Sequence, residues 1–117
     1  MKDKLPYLYH IRDEIRYLRQ ASKGLSLERL KGDEDLKRSI PQSLSIIGEA
    51  AKNLPVPFRA THPEVPWADM TAMRDKLIQG YFGIKWARVW DVITTEIPTL
   101  DEQIGHLIKE IGNEAKI

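Results

Sequence analysis

Cysteine is absent from this chain of 117 residues. That excludes disulfides, thiolate metal ligands and cysteine nucleophiles, and it suits a reducing compartment. An excess of one charge is also missing, since 18 Lys and Arg stand against 17 Asp and Glu, for a net charge of +1. Any nucleic-acid site must therefore be a local patch and not a global field. No apolar run approaches the roughly 20 residues that span a bilayer. The opening residues, with Asp3, Pro6 and Tyr7, do not form a secretory signal. The expectation is a cytoplasmic chain without a membrane partner. There is no phosphate-binding glycine loop, no H-E-x-x-H, no G-x-S-x-G and no EF-hand pattern. Repeats and low-complexity segments are lacking as well. What is present is a 42% hydrophobic, 30% charged composition, ordinary for one soluble domain over residues 1–117 with one core.

The apolar spacing is helical almost throughout. Leu8, Ile11, Ile15 and Leu18 predict a buried face on a helix from about residue 3 to 22. Beside it Arg12, Arg16, Arg19 and Lys23 form a basic stripe. Two readings are open: a solvated edge partly neutralised by Asp13 and Glu14, or a row of cations for RNA phosphates, which would position RNA without choosing its sequence. Gly24 suits the end of this helix. A short turn follows at Ser26, and Asp33 is a plausible N-cap for the next helix, about 34 to 54. Pro41 should kink that helix or mark its true start. Ile40, Leu44, Ile47 and Ala51 make its apolar stripe, and Gly48 with Ala50 and Ala51 is small enough for close helix approach. Glu49 sits among apolar residues, with Arg74 as a candidate partner, either purely structural or orienting a guanidinium for phosphate.

Four prolines at 55, 57, 63 and 66 predict a loop with at most one short turn. Val56, Phe58, Val65 and Trp67 should pack it against the helices. Pro66 is well placed to open the next helix. In the last segment Trp86, Trp90, Ile93, Ile97, Leu100, Ile104, Leu107 and Ile111 recur at steps of 4 and 3, the seam of helices packed side by side. The seam keeps its phase across Pro98, which favours one kinked helix. Thr99-x-x-Glu102 is an opposing signal, a capping box that would start a new one.

The stretch Met73-Arg74-Asp75-Lys76-Leu77-Ile78-Gln79-Gly80-Tyr81-Phe82 collects the polar chemistry. On a helix Arg74, Ile78 and Tyr81 share one face, while Met70, Met73 and Leu77 lie on a neighbouring face that should be buried. Gln79 falls roughly 140° from Arg74 on an ideal helix, so the two can meet only near a helix end or at an interface.

Arg74, four residues, Gln79, one residue, then Tyr81 resembles the R-x-x-x-x-H-x-Y signature of HEPN-domain toxins of the HepT type. Pro66-Trp67, Gly80-Tyr81-Phe82-Gly83-Ile84, Val89-Trp90 and the block Leu44-Ser45-Ile46-Ile47-Gly48-Glu49-Ala50-Ala51-Lys52 agree with it. The resemblance covers nearly the whole chain. It implies an all-α, antiparallel up-and-down helical bundle that pairs about a two-fold axis. It also implies a composite cleft for metal-independent RNA cleavage without a cofactor, and a minimal nucleotidyltransferase antitoxin as partner. Arg74 would bind phosphate, and the residue at 79 would move protons. Tyr81 would accept AMP from the partner enzyme, or would simply pack with Phe82. The family histidine is Gln79 here, which implies weakened or absent cleavage. The other reading is a HEPN module that only binds a nucleotidyltransferase or RNA. His62, in the proline-rich loop, is a remote candidate to replace the missing histidine.

Overall fold

The computed structural model describes residues 4–79 and 83–115, without the side chains of Gln79 and of residues 113–115. Most of the described residues are helical, with no strand among them. Helix α1, Leu5–Ala21, starts at Lys4 with Pro6 in its first turn, where a missing amide hydrogen costs little. Its buried residues are the four that periodicity marked: Leu8, Ile11, Ile15 and Leu18, each 0% exposed. A fully buried leucine or isoleucine contributes roughly 1.5–3 kcal/mol, so this stripe is what fixes α1 to the core. Past the helix, the Leu25 amide donates to the Ser22 carbonyl at 3.0 Å. Gly24 takes φ +72° inside that turn, a conformation that favours glycine.

Helix α2, Leu27–Gly32, is capped by the Ser26 hydroxyl, which accepts from the Arg29 amide at 3.2 Å. Asp33 ends α2 and caps α3, Glu34–Asn53, its carboxylate accepting from the Leu36 amide at 3.0 Å. Pro41 neither opens nor breaks this helix, which runs through it. The ring removes one ladder bond, but Ile40, Pro41, Leu44 and Ile47 are all buried, and their packing holds the segment helical. The Tyr17 hydroxyl donates to Ser39 Oγ at 2.6 Å, and Ser43 Oγ donates to the Glu14 carbonyl at 3.4 Å. Positions rise along α3 as they fall along α1, so the two helices are antiparallel.

The proline-rich stretch contains a short helix α4, Val56–Thr61, with Pro57 in its first turn. Phe58, Val65 and Trp67 are buried as expected, but Val56 is 68% exposed; it lies on the outer side of that single turn. Trp67 Nε1 donates to the His62 carbonyl at 2.9 Å, tying the loop to the start of α5, Trp67–Gln79. The last segment is one helical run. It comprises α6, Trp86–Asp91, then a π-helical turn, Val92–Glu96, then α7, Ile97–Ala115. The Ile97 amide donates to the Val92 carbonyl. Pro98 has no amide hydrogen to continue the ordinary ladder, and the wider turn lies just before it. Thr99 is inside α7 and caps nothing. The irregularity also shifts the seam, since Val89 is 2% exposed while Trp86 and Trp90 are only partly buried. Arg88 bridges the π turn, with Nη1 at 2.6 Å from Glu96 and 3.0 Å from Asp91. The Glu96 hydrogen bond and charge, with Asp91 adding to them, push the Arg88 pKa above its already high value.

Helix α1 packs on α3 and α7, and α3 packs on α5. The result is an all-α bundle with extents of 50 × 29 × 21 Å. No helix among the described residues is long and apolar enough to cross a membrane.

Candidate functional site

The crossing of α3 and α5 builds the site. A Cβ placed on Gly48 would lie 2.4 Å from Arg74 Cβ and 2.7 Å from the Met70 carbonyl oxygen. Only a residue without a side chain lets the helices approach this closely. The aliphatic stem of Arg74 thus rests directly on the backbone of α3. Met70 and Leu77 anchor the adjoining face of α5 in the core, both buried, and Met73 is partly buried.

The Arg74 head is held by two carboxylates. Nη2 lies 2.8 Å from Glu49 Oε2, and Nη1 lies 2.9 Å from Asp75 Oδ1. The Arg74 side chain is 22% exposed, against 51% for Glu49 and 47% for Asp75. The stem is therefore covered, while the polar cluster opens at the surface. Glu49 is itself steadied. Asn53 Nδ2 donates to Glu49 Oε1 at 3.3 Å and to the Glu49 carbonyl at 2.9 Å. Two carboxylates around one guanidinium leave a local excess of one negative charge.

Glu49 and Arg74 meet, as one reading of the sequence allowed. Asn53 and Asp75 were not anticipated. Asn53 stands four residues from Glu49, a spacing at which helical side chains touch, so that pair was legible. Adjacent residues on a helix do not face each other, and nothing in the spacing pointed to Asp75. Tyr81 lies outside the described residues, as does the side chain of Gln79, which ends α5. His62 is engaged elsewhere. Its ring lies 4.8 Å from Phe58 and its Nδ1 lies 3.7 Å from Glu64.

The basic stripe of α1 is not uniform. The Arg12 guanidinium lies 4.6 Å from the centre of the Tyr9 ring. Its Nε is buried, with no hydrogen-bond partner among the described residues. Arg19 pairs with Asp101 of α7 at 2.5 Å. Arg16 and Lys23 are exposed. A groove of about 620 Å³ runs between α5 and α6, lined by Met73, Lys76, Leu77, Lys85 and Arg88 among others. Among the described residues, no group of three or more His, Asp or Glu is placed to hold a metal ion.

A family profile described as ribonuclease HepT-like matches residues 11–107. A Caldanaerobacter subterraneus subsp. tengcongensis protein named "Putative RNase" is 44% identical over 94% of this chain and 98% of its own length. A Methanocaldococcus jannaschii protein of the same name is 34% identical over 97% of this chain and 93% of its own. A Thermococcus cleftensis protein named "Probable ribonuclease HepT" is 36% identical over 88% of this chain and 94% of its own. No solved structure matches the chain.

Proposed function

The chain belongs to the HepT-like ribonuclease family, and from that premise we propose that it is a HepT-type RNase toxin whose cleavage step is crippled by Gln79. The observation that carries this reading is the placement of Arg74. It stands where the family motif has its arginine, with its stem seated on Gly48 and its head oriented by Glu49. Metal-independent cleavage uses the ribose 2′-hydroxyl as nucleophile and passes through a phosphorane carrying extra negative charge. A guanidinium suits that charge, because it stays protonated and can bind two phosphate oxygens at once.

The proton-transfer step is where this chain departs. An imidazole exchanges protons near neutral pH, whereas the amide of Gln79 can only donate and accept hydrogen bonds. Positioned acid–base catalysis is worth about 10²–10⁴-fold, or roughly 3–5 kcal/mol of barrier. Two copies paired about a two-fold axis would bring two Arg74 sites into one cleft. AMP transferred to Tyr81 by a minimal nucleotidyltransferase antitoxin would bring a phosphate into the same motif and silence it. Arg16 and Lys23, exposed members of the basic stripe, are the side chains best placed to hold further RNA phosphates, with Arg12 beside them; Arg19, also exposed, would first have to leave Asp101.

The test is to restore the histidine. Gln79→His should raise cleavage of a generic RNA by about 10²–10⁴-fold and slow cell growth, and adding Arg74→Ala should abolish both effects. No cleavage with either residue at 79, together with retained binding to a nucleotidyltransferase or to RNA, would favour a purely binding module.

A further inference from the structure

We propose that Asp75 is a built-in competitor for phosphate, occupying one side of Arg74 until an anionic ligand displaces it. The inference rests on reading Arg74 as the phosphate-binding cation. The two carboxylates on Arg74 are not equivalent. Glu49 stands on α3 beside Gly48, at the closest approach of the two helices, and Asn53 fixes its other oxygen at 3.3 Å. Both are about half exposed, at 51% and 47%, but among the described residues Asp75 has only its 2.9 Å contact to Arg74 Nη1. Both carboxylates are reached from solvent, but Glu49 is held by Asn53 as well as by Arg74, so an arriving ligand displaces Asp75 first.

Charge gives the same answer. With both carboxylates in place, the cluster carries one negative charge in excess and repels a polyanion. If Asp75 swings out, Nη1 is freed while Glu49 keeps Nη2 oriented, and a phosphate oxygen replaces one carboxylate oxygen. A half-exposed ion pair is weak enough to exchange in this way. Asn53 and Glu49 are then positioning residues for Arg74, and Asp75 sets how readily the seat accepts an anion.

The experiment titrates the full chain with inorganic phosphate, followed through the arginine side-chain nitrogen signals in NMR. A parallel titration uses a 2′-O-methyl RNA oligonucleotide, which cannot be cleaved, followed by fluorescence anisotropy. Asp75→Asn should bind both ligands about fivefold more tightly, the scale set by a half-exposed pair. The gain should vanish when Arg74→Gln is added, since simple removal of a negative charge would persist in that background. Asp75→Ser serves as a second variant, and thermal melts establish that each is folded. Tightened phosphate binding with no RNA binding by any variant would sustain the Asp75 competitor and remove the RNA reading. Unchanged or weaker phosphate binding in Asp75→Asn, a gain that survives Arg74→Gln, or no phosphate response in any protein would overturn the competitor.

Discussion

At the scale of single residues, Gly48 and Arg74 are one device. The guanidinium stands where it does because position 48 has no side chain and lets α5 settle on α3. Gly48→Ala would place a methyl 2.4 Å from Arg74 Cβ and 2.7 Å from the Met70 carbonyl. Neither is the loose end of a flexible chain, so a helix must move. Overpacking of this kind costs about 1–3 kcal/mol. The variant should melt several degrees below the parent and lose whatever anion affinity Arg74 confers. An unchanged melting temperature in calorimetry would show that the crossing is looser than this geometry.

At the scale of elements, Asp33 joins two helices. It ends α2 and caps α3 through its 3.0 Å bond to the Leu36 amide. Asp33→Ala should cost about 1 kcal/mol in urea unfolding, and Asp33→Asn much less, because the amide oxygen can still cap. Equal losses for the two variants would assign the effect to charge and not to capping. Both this cap and the buried faces of α1 and α3 were legible in the sequence, because caps and apolar periodicity are local and strong. Two features were not. Pro41 reads as a kink or as the true start of α3, yet the helix already begins at Glu34, and burial on both sides of Pro41 outweighs the lost bond. The π turn at Val92–Glu96 hides from a simple 3.5-residue count, which put Trp86 and Trp90 on the buried seam where Val89 is the more buried residue. The Glu49–Arg74 contact could be anticipated because opposite charges near an apolar crossing attract. Asp75 could not, since its contact depends on side-chain torsions that spacing does not report.

For the whole molecule, the face bearing Arg74 carries an exposed apolar side chain. Ile78 lies one turn beyond Arg74 and is 59% exposed, and extents of 50 × 29 × 21 Å leave ample area for the roughly 800 Å² per partner of a standard interface. A two-fold pairing that joins two Arg74 sites would cover Ile78. The parent chain should sediment as a dimer at micromolar concentration, and Ile78→Glu as a monomer with little change in its own melting temperature. A parent that stays monomeric at every concentration would remove the composite cleft from the proposed mechanism.

The absence of any side chain at position 48 has a wider bearing. The stem of the cation takes its place in space from the path of two backbones, and Glu49 and Asp75 have only its head to steer. Surface positions away from this crossing could be rewritten, and the charge would still be delivered to the same point.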